Sequence, residues 1–365
     1  MRRGRRYISK ATQTLLPAAI IMPLLLLCGC NVHEWPEAAD TVSLHLRLNY
    51  ATEMTEWYHL CDETTVEEQG EGNSYDNTLS RGRMRSIIRA FPTATKQRTA
   101  QTCTAEYVIT RDLSEGYDHS LTIDLPAGSY DIMIWSDLTA DGDDLPYHNA
   151  DNFAEITLQE PHAGSTNYRD AFRGRSQAIL SADYKERLPD TLDIAMERPL
   201  AKFEFITNDV VEFIKKEAVR IASKANAAKG SLEVPEAPSR AIDIADYKVV
   251  FYYIGFMPNA YSIHADTHVD CSTGVFFEST LKKLSEREAT MGYDYVFVNG
   301  KTSAVTVQIG IYDSEGEQLS LTAPIEVPLK RNRHTLMSGM FLMSKTSGGV
   351  TINPDYDGDH NLIIP

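Results

Sequence analysis

The sequence has 365 residues, 42% of them hydrophobic, so the chain is long enough for two or three domains and apolar enough to bury a sizeable core. Acidic residues outnumber basic ones by 51 to 35, yet the first 29 residues carry five basic residues and no acid. The remaining 30 basic and 51 acidic residues give the rest of the chain a formal charge of −21. Such a chain repels phosphate backbones, so we expect no nucleic-acid partner.

The first 29 residues predict a signal peptide that is removed. A basic start precedes the apolar stretch 15–27, which as a helix would reach only ~20 Å, short of the ~30 Å hydrocarbon core of a membrane. The stretch ends in Leu27-Cys28-Gly29-Cys30, which resembles a bacterial lipobox. Cys30 would then receive diacylglycerol and become the first residue, and two or more acyl chains such as palmitate would anchor it durably. Ordinary cleavage near Gly29, without lipid, is the alternative.

Three cysteines remain after Cys28 and Cys30, namely Cys61, Cys103 and Cys271. An odd number excludes a complete disulfide framework, although one bridge could form and the sequence does not choose the pair. No thiol-enzyme signature flanks any of them, so we expect buried, inert thiols.

Strand patterns dominate the rest of the chain. Residues 43–49 alternate strictly, with leucines on one face, which predicts a half-buried strand. Residues 121–125 alternate in the same way, and the turn residues 126–128 lead from them to the run 130–135, so the two runs predict a hairpin. Further strands are predicted at 86–91, 156–158, 202–206, 247–256, 295–298, 305–312, 318–321 and 335–343. Short strands separated by polar turns indicate a mostly β, sandwich-like fold.

One segment, about 209–222, has helical spacing instead. Its apolar residues recur three and four apart behind Thr207, Asn208 or Asp209 as N-cap, which predicts an amphipathic helix that covers a sheet or crosses between strands. The next residues, 223–241, are predicted to be an exposed loop or frayed helix end.

Two strand sets indicate two tandem domains. We expect an N-terminal sandwich over residues 30–198 and a C-terminal sandwich over 199–365, the second containing the helix. The acidic segment 62–77 has almost no apolar residue and is predicted to be a solvated excursion between strands of the first domain.

The segment 264–270 is a weak metal-site candidate. His264, Asp266 and His268 recur at period two, so an extended chain would place them on one face. The two histidines would however stand ~13 Å apart, too far to share one ion. We therefore expect a solvent-facing polar loop.

A second weak candidate has the composition of a calcium loop. Asp137, Asp141 and Asp143 surround Gly142, but the spaced glutamate that closes an EF-hand is missing. The segment 356–359 has the same character. We expect plain Asp/Gly turns, with no metal and no cofactor.

No nucleophile elbow, H-E-x-x-H motif or phosphate-binding loop is present, so we expect no enzymatic activity. A glycan-binding platform would need exposed aromatic side chains. The three tryptophans are Trp35, Trp57 and Trp135, and the last lies in a hydrophobic strand where core packing is expected. The 18 tyrosines leave glycan binding open.

Several segments together resemble the fimbrillin-like lipoproteins of Bacteroidetes, in particular their minor and anchoring fimbrial subunits. In the first half they are CNVHEWPE at 30–37, LHLRL at 44–48, MRSIIRAFP at 84–92, LPAGSY at 125–130 with WSD at 135–137, and YRDAFRG at 168–174. In the second half they are ERPLAKFEF at 197–205, YKVVFYY at 247–253, GFMP at 255–258, YVFVNG at 295–300, VPLKRNRHT at 327–335, GGVTI at 348–352 and DGDHN at 357–361. The resemblance covers nearly the whole chain after Cys30, and the final stretch is its most specific part.

The resemblance implies two transthyretin-like β-sandwich domains and transport to the outer membrane as a surface-exposed lipoprotein. It also implies assembly into, or anchoring of, a fimbrium by exchange of β-strands between subunits, and it carries over no catalytic residue. The outer membrane, through Cys30, and other fimbrial subunits are the expected partners. The sequence leaves open the position at tip or base, the partner subunit and whether the C-terminal strand is donated. A surface glycan- or ligand-binding lipoprotein is the alternative.

Arg47 is the candidate for proteolytic processing. In some relatives, arginine-specific cleavage within the first strand removes the lipid and opens a groove. Arg47 is the only Lys or Arg between Cys30 and Arg81, so such a protease would have to cut there or further on. The alternative is an outward-facing strand residue, as its alternation with leucines predicts.

Overall fold

The structure is a computed structural model that describes residues 41–61, 65–67, 74–96, 98–143, 145–181, 191–229, 241–300 and 302–344. The described chain is mostly β, as predicted, with one α-helix, α1 (Val210–Lys229). The strands of the first half are β1 (Thr41–Tyr50), β2 (Glu53–Cys61), β3 (Thr65–Glu67), β4 (Ser74–Asp76), β5 (Arg83–Pro92), β6 (Ala105–Asp112), β7 (His119–Pro126), β8 (Gly128–Thr139), β9 (His148–Asn149), β10 (Ile156–Leu158), β11 (Ala171–Leu180) and β12 (Thr191–Met196). Those of the second half are β13 (Leu200–Thr207), β14 (Lys248–Tyr253), β15 (Phe256–Ser262), β16 (Thr267–Thr273), β17 (Phe276–Thr280), β18 (Lys282–Lys283), β19 (Ala289–Phe297), β20 (Thr302–Tyr312), β21 (Gln318–Leu321), β22 (Ile325–Lys330) and β23 (Arg333–Gly339).

Two sheets form the first sandwich. Sheet 1 has the order β12-β1-β7 and sheet 2 the order β11-β8-β5-β6. Between them lies the first core, made of aliphatic side chains such as Leu46, Ile88, Ile123 and Ile134, all with no exposed surface. Alternating apolar residues on β1 and β7 produce this packing, because one face of each strand must be buried.

The second half is built around sheets 4 and 5. Sheet 4 has the order β18-β19-β13-β23-β2-β3, with β4 beside β2, and sheet 5 has the order β17-β14-β20-β21, with β22 beside β20. The second core between them is rich in aromatic residues, including Phe203, Phe205 and Phe251. A smaller sheet 3, with the order β16-β15-β10-β9, completes the fold.

The central strands of sheet 2, β5 and β8, are buried on both faces and join the two cores. Ile132 and Ile134 of β8 face the first core, whereas Met133 and Trp135 belong to the second. Trp135 packs against Tyr261 and Phe297 of the second half, so the expected core position of this tryptophan is confirmed.

Strands from the two halves of the sequence are interleaved. β2 pairs in parallel with β23, and β10 pairs with β15. The division into domains at residues 198 and 199 stays a prediction. The pairing shows that strands before residue 198 complete sheets whose other strands follow it.

The predicted hairpin between residues 121–125 and 130–135 is wrong. Both strands exist, but β7 pairs with β1 in sheet 1 and β8 pairs with β5 and β11 in sheet 2. The turn at 126–128 therefore carries the chain between layers. The physical reason is burial: β7 has one buried face, whereas β8 is buried on both faces and belongs in the middle layer.

The predicted helix is present and crosses from sheet 4 to sheet 5. Val210, Phe213 and Ala222 are its buried hydrophobic residues. It continues to Lys229, so the loop predicted from residue 223 is wrong for its first seven residues, which are mostly good helix formers such as Ala and Lys. In the predicted excursion 62–77, β3 and β4 pair with β2, and most of its other residues lie outside the described ones.

Candidate functional site

The first strand, β1, inserts a regular row of side chains into the first core. Its burial alternates along all ten residues, and every inward position is buried. The inward residues are Val42, Leu44, Leu46, Leu48 and Tyr50. At about 1.5 to 3 kcal/mol for each large apolar side chain, this row contributes strongly to the stability of the first sandwich.

β1 is the middle strand of a three-stranded sheet. It runs antiparallel to β7 from the Thr41↔Pro126 pair to the Leu48↔His119 pair. On its other side it runs parallel to β12. If β1 left, it would therefore open a groove with an apolar floor and two strand edges, which is the geometry that an exchanged strand requires.

The outward side chains of β1 contact polar groups on both neighbouring strands. Ser43 Oγ donates to Asp124 Oδ1 at 2.6 Å, and His45 Nδ1 lies 3.2 Å from Thr122 Oγ1. Arg47 Nη1 lies 3.2 Å from Asp193 Oδ1, and the Arg47 side chain is 54% exposed. The Arg47 side chain thus faces outward, while its main chain is enclosed between β7 and β12.

The inner end of β1 is fixed by polar contacts. The Tyr50 hydroxyl lies 2.8 Å from Ser136 Oγ and 3.2 Å from Ser86 Oγ, and burial raises the pKa of Tyr50 to about 12. The Tyr50 backbone N–H donates to Asp118 Oδ1 at 2.7 Å. If β1 left, the Tyr50 hydroxyl would lose both serine contacts and Asp118 would lose the Tyr50 N–H.

Arg198 fastens the connection between β1 and β2. Its Nε donates to both carboxylate oxygens of Asp170 at 2.8 Å. Its other nitrogens donate to the backbone carbonyls of Ala51 and Thr52, each at 2.7 Å, and of Glu53 at 3.1 Å. The Arg198 and Asp170 side chains are almost completely buried. We call this cluster, Arg198 with Asp170 and the carbonyls of 51–53, the junction clamp.

A second buried ion-pair cluster lies near the clamp. Asp294 accepts from Arg169 at 2.6 Å and from the Tyr253 hydroxyl at 2.6 Å, and it lies 2.7 Å from His162 Nε2. Burial acts to raise the pKa of Asp294, but Arg169 and His162 outweigh it and hold the pKa below its usual range. This cluster ties the loop after β10 to β19 and β14.

The aspartates of the calcium-loop candidate have separate partners. Asp137 is buried and accepts from Arg85 at 2.6 and 2.9 Å and from Trp135 Nε1 at 3.0 Å. Burial raises the pKa of Asp137. Asp141 instead pairs with Arg81 at 3.1 Å, and Asp143 is exposed. Asp137 therefore has a structural role as an ion-pair partner.

The expected polar loop at 264–270 is wrong in part, because it is a turn that leads into β16. Asp266 lies within ion-pair distance of Arg173, at 3.1 Å, and of Arg331, at 2.9 Å. His264 Nε2 lies 3.2 Å from the carbonyl of Arg98. Through these ion pairs Asp266 links Arg173 of β11 to Arg331, which precedes β23.

Among the described residues, one group of carboxylates lies close enough to share an ion, and the sequence reasoning did not select it. It consists of Asp313, Glu315 and Glu317. Arg220 of α1 lies 3.0 Å from Asp313, and Lys224 lies 3.5 Å from Glu315. These contacts make the group the acidic side of an ion-pair network that holds the helix.

The two cysteines whose side chains are described, Cys103 and Cys271, are free and half-buried. Burial raises the pKa of each thiol, so both are mainly protonated at neutral pH.

Trp57 and Trp135 are buried, so neither presents an exposed ring to a glycan. Cys30, Trp35 and the segment 356–359 lie outside the described residues.

The chain matches a family described as a family of unknown function, DUF6562, over residues 38–365, and it belongs to that family. No curated protein matches it.

Solved structures similar to this chain include fimbrial proteins, as the sequence resemblance led us to expect. One is the fimbrial anchor protein Mfa2 from Porphyromonas gingivalis, with 9% identity and a TM-score of 0.36, covering 77% of this chain and 82% of that one. Another is a fimbrial assembly protein from Parabacteroides distasonis, with 10% identity and a TM-score of 0.35, covering 85% of this chain and 94% of that one. No helix among the described residues is long and apolar enough to cross a membrane.

Proposed function

We propose that this chain is a lipid-anchored accessory subunit of a fimbrium, attached to the outer membrane through Cys30 and keeping its first strand in place. The observation that carries the proposal is the position of β1, which connects the lipid-bearing N-terminus to the core of the protein. The sequence resemblance to anchoring fimbrial subunits supports the same assignment.

The strand pairing of the main chain around Arg47 supports retention of β1. Arg47 pairs with Ser120 of β7 on one side and with Asp193 of β12 on the other. A protease needs an extended segment with free backbone groups, so cleavage at Arg47 depends on the fraction of molecules in which β1 has opened. The buried leucines and the junction clamp keep that fraction small, and the lipid stays connected.

The course of the chain supports a proposal that the membrane and the partner lie at different ends of the protein. β1 begins at Thr41 and ends at the junction clamp, about 33 Å further along at the usual rise of a strand. β13 begins at Leu200, two residues after Arg198, and runs away from the clamp. β23 is parallel to β13, so the described chain leaves the fold at Ser344 beyond the far end of that sheet. We therefore propose that the membrane lies on the side of Thr41 and the partner subunit on the side of Ser344.

In this proposal the C-terminal segment, 345–365, is donated to a neighbouring subunit. Its sequence contains the apolar-alternating stretch Val350-Thr351-Ile352 and ends in Leu362-Ile363-Ile364-Pro365. A segment of this kind can add to the groove of another subunit, with main-chain hydrogen bonds giving affinity and alternate side chains giving register. In this proposal the chain gives a strand to its neighbour and keeps β1 for itself.

The charge of the protein is compatible with such a role. A formal charge of −21 after the signal peptide keeps the surface solvated and discourages attraction to anionic lipid. Attachment to the membrane then depends on the lipid, and attachment to the partner depends on strand pairing.

The test is a pair of cysteine variants in cells that carry the fimbriae. Cys30→Ser removes the thiol that receives the lipid, whereas Cys28→Ser changes a cysteine of the removed signal and is the matched control. We expect Cys30→Ser to release the protein, and fimbriae with it, into the medium, and Cys28→Ser to behave as wild type. Unchanged attachment, number and length of fimbriae in Cys30→Ser cells would overturn the proposal.

A further inference from the structure

The first sandwich is closed along one side and open along the other. On the closed side β11 and β12 approach each other, with backbone hydrogen bonds between Arg173 and Glu197. Gly174 permits this approach, because a Cβ there would lie 2.5 Å from Met196 Sδ. On the other side β7 is the last strand of sheet 1 and β6 the last strand of sheet 2. Among the described strands, β7 pairs with β1 alone.

A single side chain occupies part of the free edge of β7. The Tyr107 hydroxyl, from β6, donates to the carbonyl of Asp124 at 2.9 Å and accepts from the Asp124 N–H at 3.0 Å. Both backbone groups of Asp124 therefore point away from β1. Because an antiparallel ladder alternates in this respect and shows no bulge here, the backbone groups of Thr122 and Ser120 point the same way.

Apolar surface lines the gap between the two edge strands. Ala105, Tyr107 and Ile109 of β6 and Leu121 of β7 pack against the first core but stay only partly buried. Val108, on the outer face of β6, is 57% exposed. A strand added beside β7 would thus place every second side chain against apolar neighbours.

Acidic groups dominate the rim of this gap. Asp124 and Asp112 are exposed and have no described ion-pair partner, whereas Arg89 pairs with Glu106 at 2.5 Å and Arg111 with Glu115 at 3.0 Å. Together with a formal charge of −21 on the chain, this repels a second copy and attracts a basic segment.

We propose that the free edge of β7 is a docking site for an extended peptide segment that alternates apolar and basic residues, with Tyr107 as a latch. The incoming strand takes over the hydrogen bonds that Tyr107 makes to Asp124 and continues them at Thr122 and Ser120. The site differs from the β1 groove, because β1 stays in place and supports β7 during docking.

The probe is an eight-residue peptide, acetyl-KVKVKVKV-amide, and its control is acetyl-EVEVEVEV-amide, titrated into the lipid-free mature chain. Tyr107→Phe removes the latch hydroxyl and keeps the ring, so we expect about fivefold tighter binding of the basic peptide. Tyr312→Phe removes a partly buried hydroxyl of sheet 5 and serves as the matched control, with unchanged affinity.

Thr122→Pro tests the edge itself. Proline removes a backbone N–H that faces away from β1, so sheet 1 can keep its ladder. In the Tyr107→Phe background it should weaken binding at least tenfold. In wild-type protein, bound peptide should also slow amide hydrogen exchange at Ser120 and Thr122, a readout that does not depend on the folding of the proline variant. Equal binding of the two peptides, no effect of Tyr107→Phe, or unchanged exchange at these amides would each overturn the proposal.

Discussion

The two halves of β1 are held in different ways. The outer half, residues 41–47, depends on ladder hydrogen bonds and on aliphatic side chains in the first core, and its polar contacts are exposed. The inner half and the residues after it are held by the buried Tyr50 hydroxyl and by Arg198, which binds three successive carbonyls. The same strand therefore has an outer part that depends on the ladder and the core, and an inner part that buried polar contacts hold in place.

The boundary between the two parts lies at Arg47. Cleavage there would release the outer half, yet Leu48 and Tyr50 would stay fixed by the core and the clamp. The clamp also connects both sandwiches, because Arg198 donates to Asn332 of the second half at 2.9 Å. If the chain is the lipid anchor that we propose, a load applied at the lipid would pass through β1 and this connection to the rest of the protein.

The largest expected effect comes from breaking the clamp. Arg198→Met leaves Asp170 buried without its cation and three carbonyls without a donor, so we expect the free energy of unfolding to fall by about 3 to 5 kcal/mol. The matched control, Arg47→Met, removes an exposed ion pair and should change it by less than about 1 kcal/mol. Urea unfolding of both variants makes the comparison, and equal losses would contradict the distinction between the two halves.

The outer half should respond to loss of apolar volume. Leu46 has no exposed surface, so Leu46→Ala should lower the free energy of unfolding by about 3 kcal/mol through lost burial and the cavity left behind. Ser43→Ala, on the outward face three residues earlier, should cost about 1 kcal/mol or less. Thermal or urea unfolding measures both, and a small effect of Leu46→Ala would show that the outer half is not packed as described.

A third prediction concerns pH and the region where the two cores join. His148 is buried between Trp135 and Phe297, and burial, with smaller contributions from Arg169 and Arg85, lowers its pKa to about 3. An unfolded histidine titrates near pH 6.5, so the unfolded state binds the extra proton below that value. The stability contributed by neutral His148 is therefore fully present above pH 6.5 and falls as pH decreases, by about 3 kcal/mol at pH 4.5.

His148→Leu is the control for that pH dependence. It removes the titrating group at similar volume. The unfolding free energy of wild type should therefore fall relative to that of the variant as pH decreases from 7 to 4.5. A difference that stays constant over this range would show that His148 does not contribute to the acid response.

The smallest expected effect lies at the inner end of β1. Tyr50→Phe removes the hydroxyl that contacts Ser86 and Ser136, but these serines stay bonded to each other at 2.8 Å. We expect a loss of about 1 kcal/mol in the free energy of unfolding. A loss as large as that of Arg198→Met would mean that the hydroxyl network, rather than the arginine, is the main polar attachment.

Local patterns predicted the strands well and their pairing poorly. β1 was predictable because strict alternation reports one buried face, and α1 because its apolar residues recur at helical spacing. The pairing of β7 and β8 was not, because chain proximity favours a hairpin while burial on both faces places β8 in the middle layer. The uninterrupted apolar run at 132–135 was the available signal.

The junction clamp could not be predicted from the sequence. Arg198 binds Asp170, 28 positions away, and the carbonyl of Ala51, 147 positions away. An arginine between Glu197 and Pro199 resembles a surface residue until the fold brings these acceptors together. The outward position of Arg47 was predictable because its side chain follows the alternation, whereas its pairing on both sides depends on the distant strand β12.

The mass of the mature protein, isolated from whole cells that make it, tests the central claim most directly. Retention of β1 predicts a chain that starts at an acylated Cys30 and contains Arg47. A chain that starts at Leu48 and carries no lipid would contradict it, and would identify a subunit that gives up its first strand.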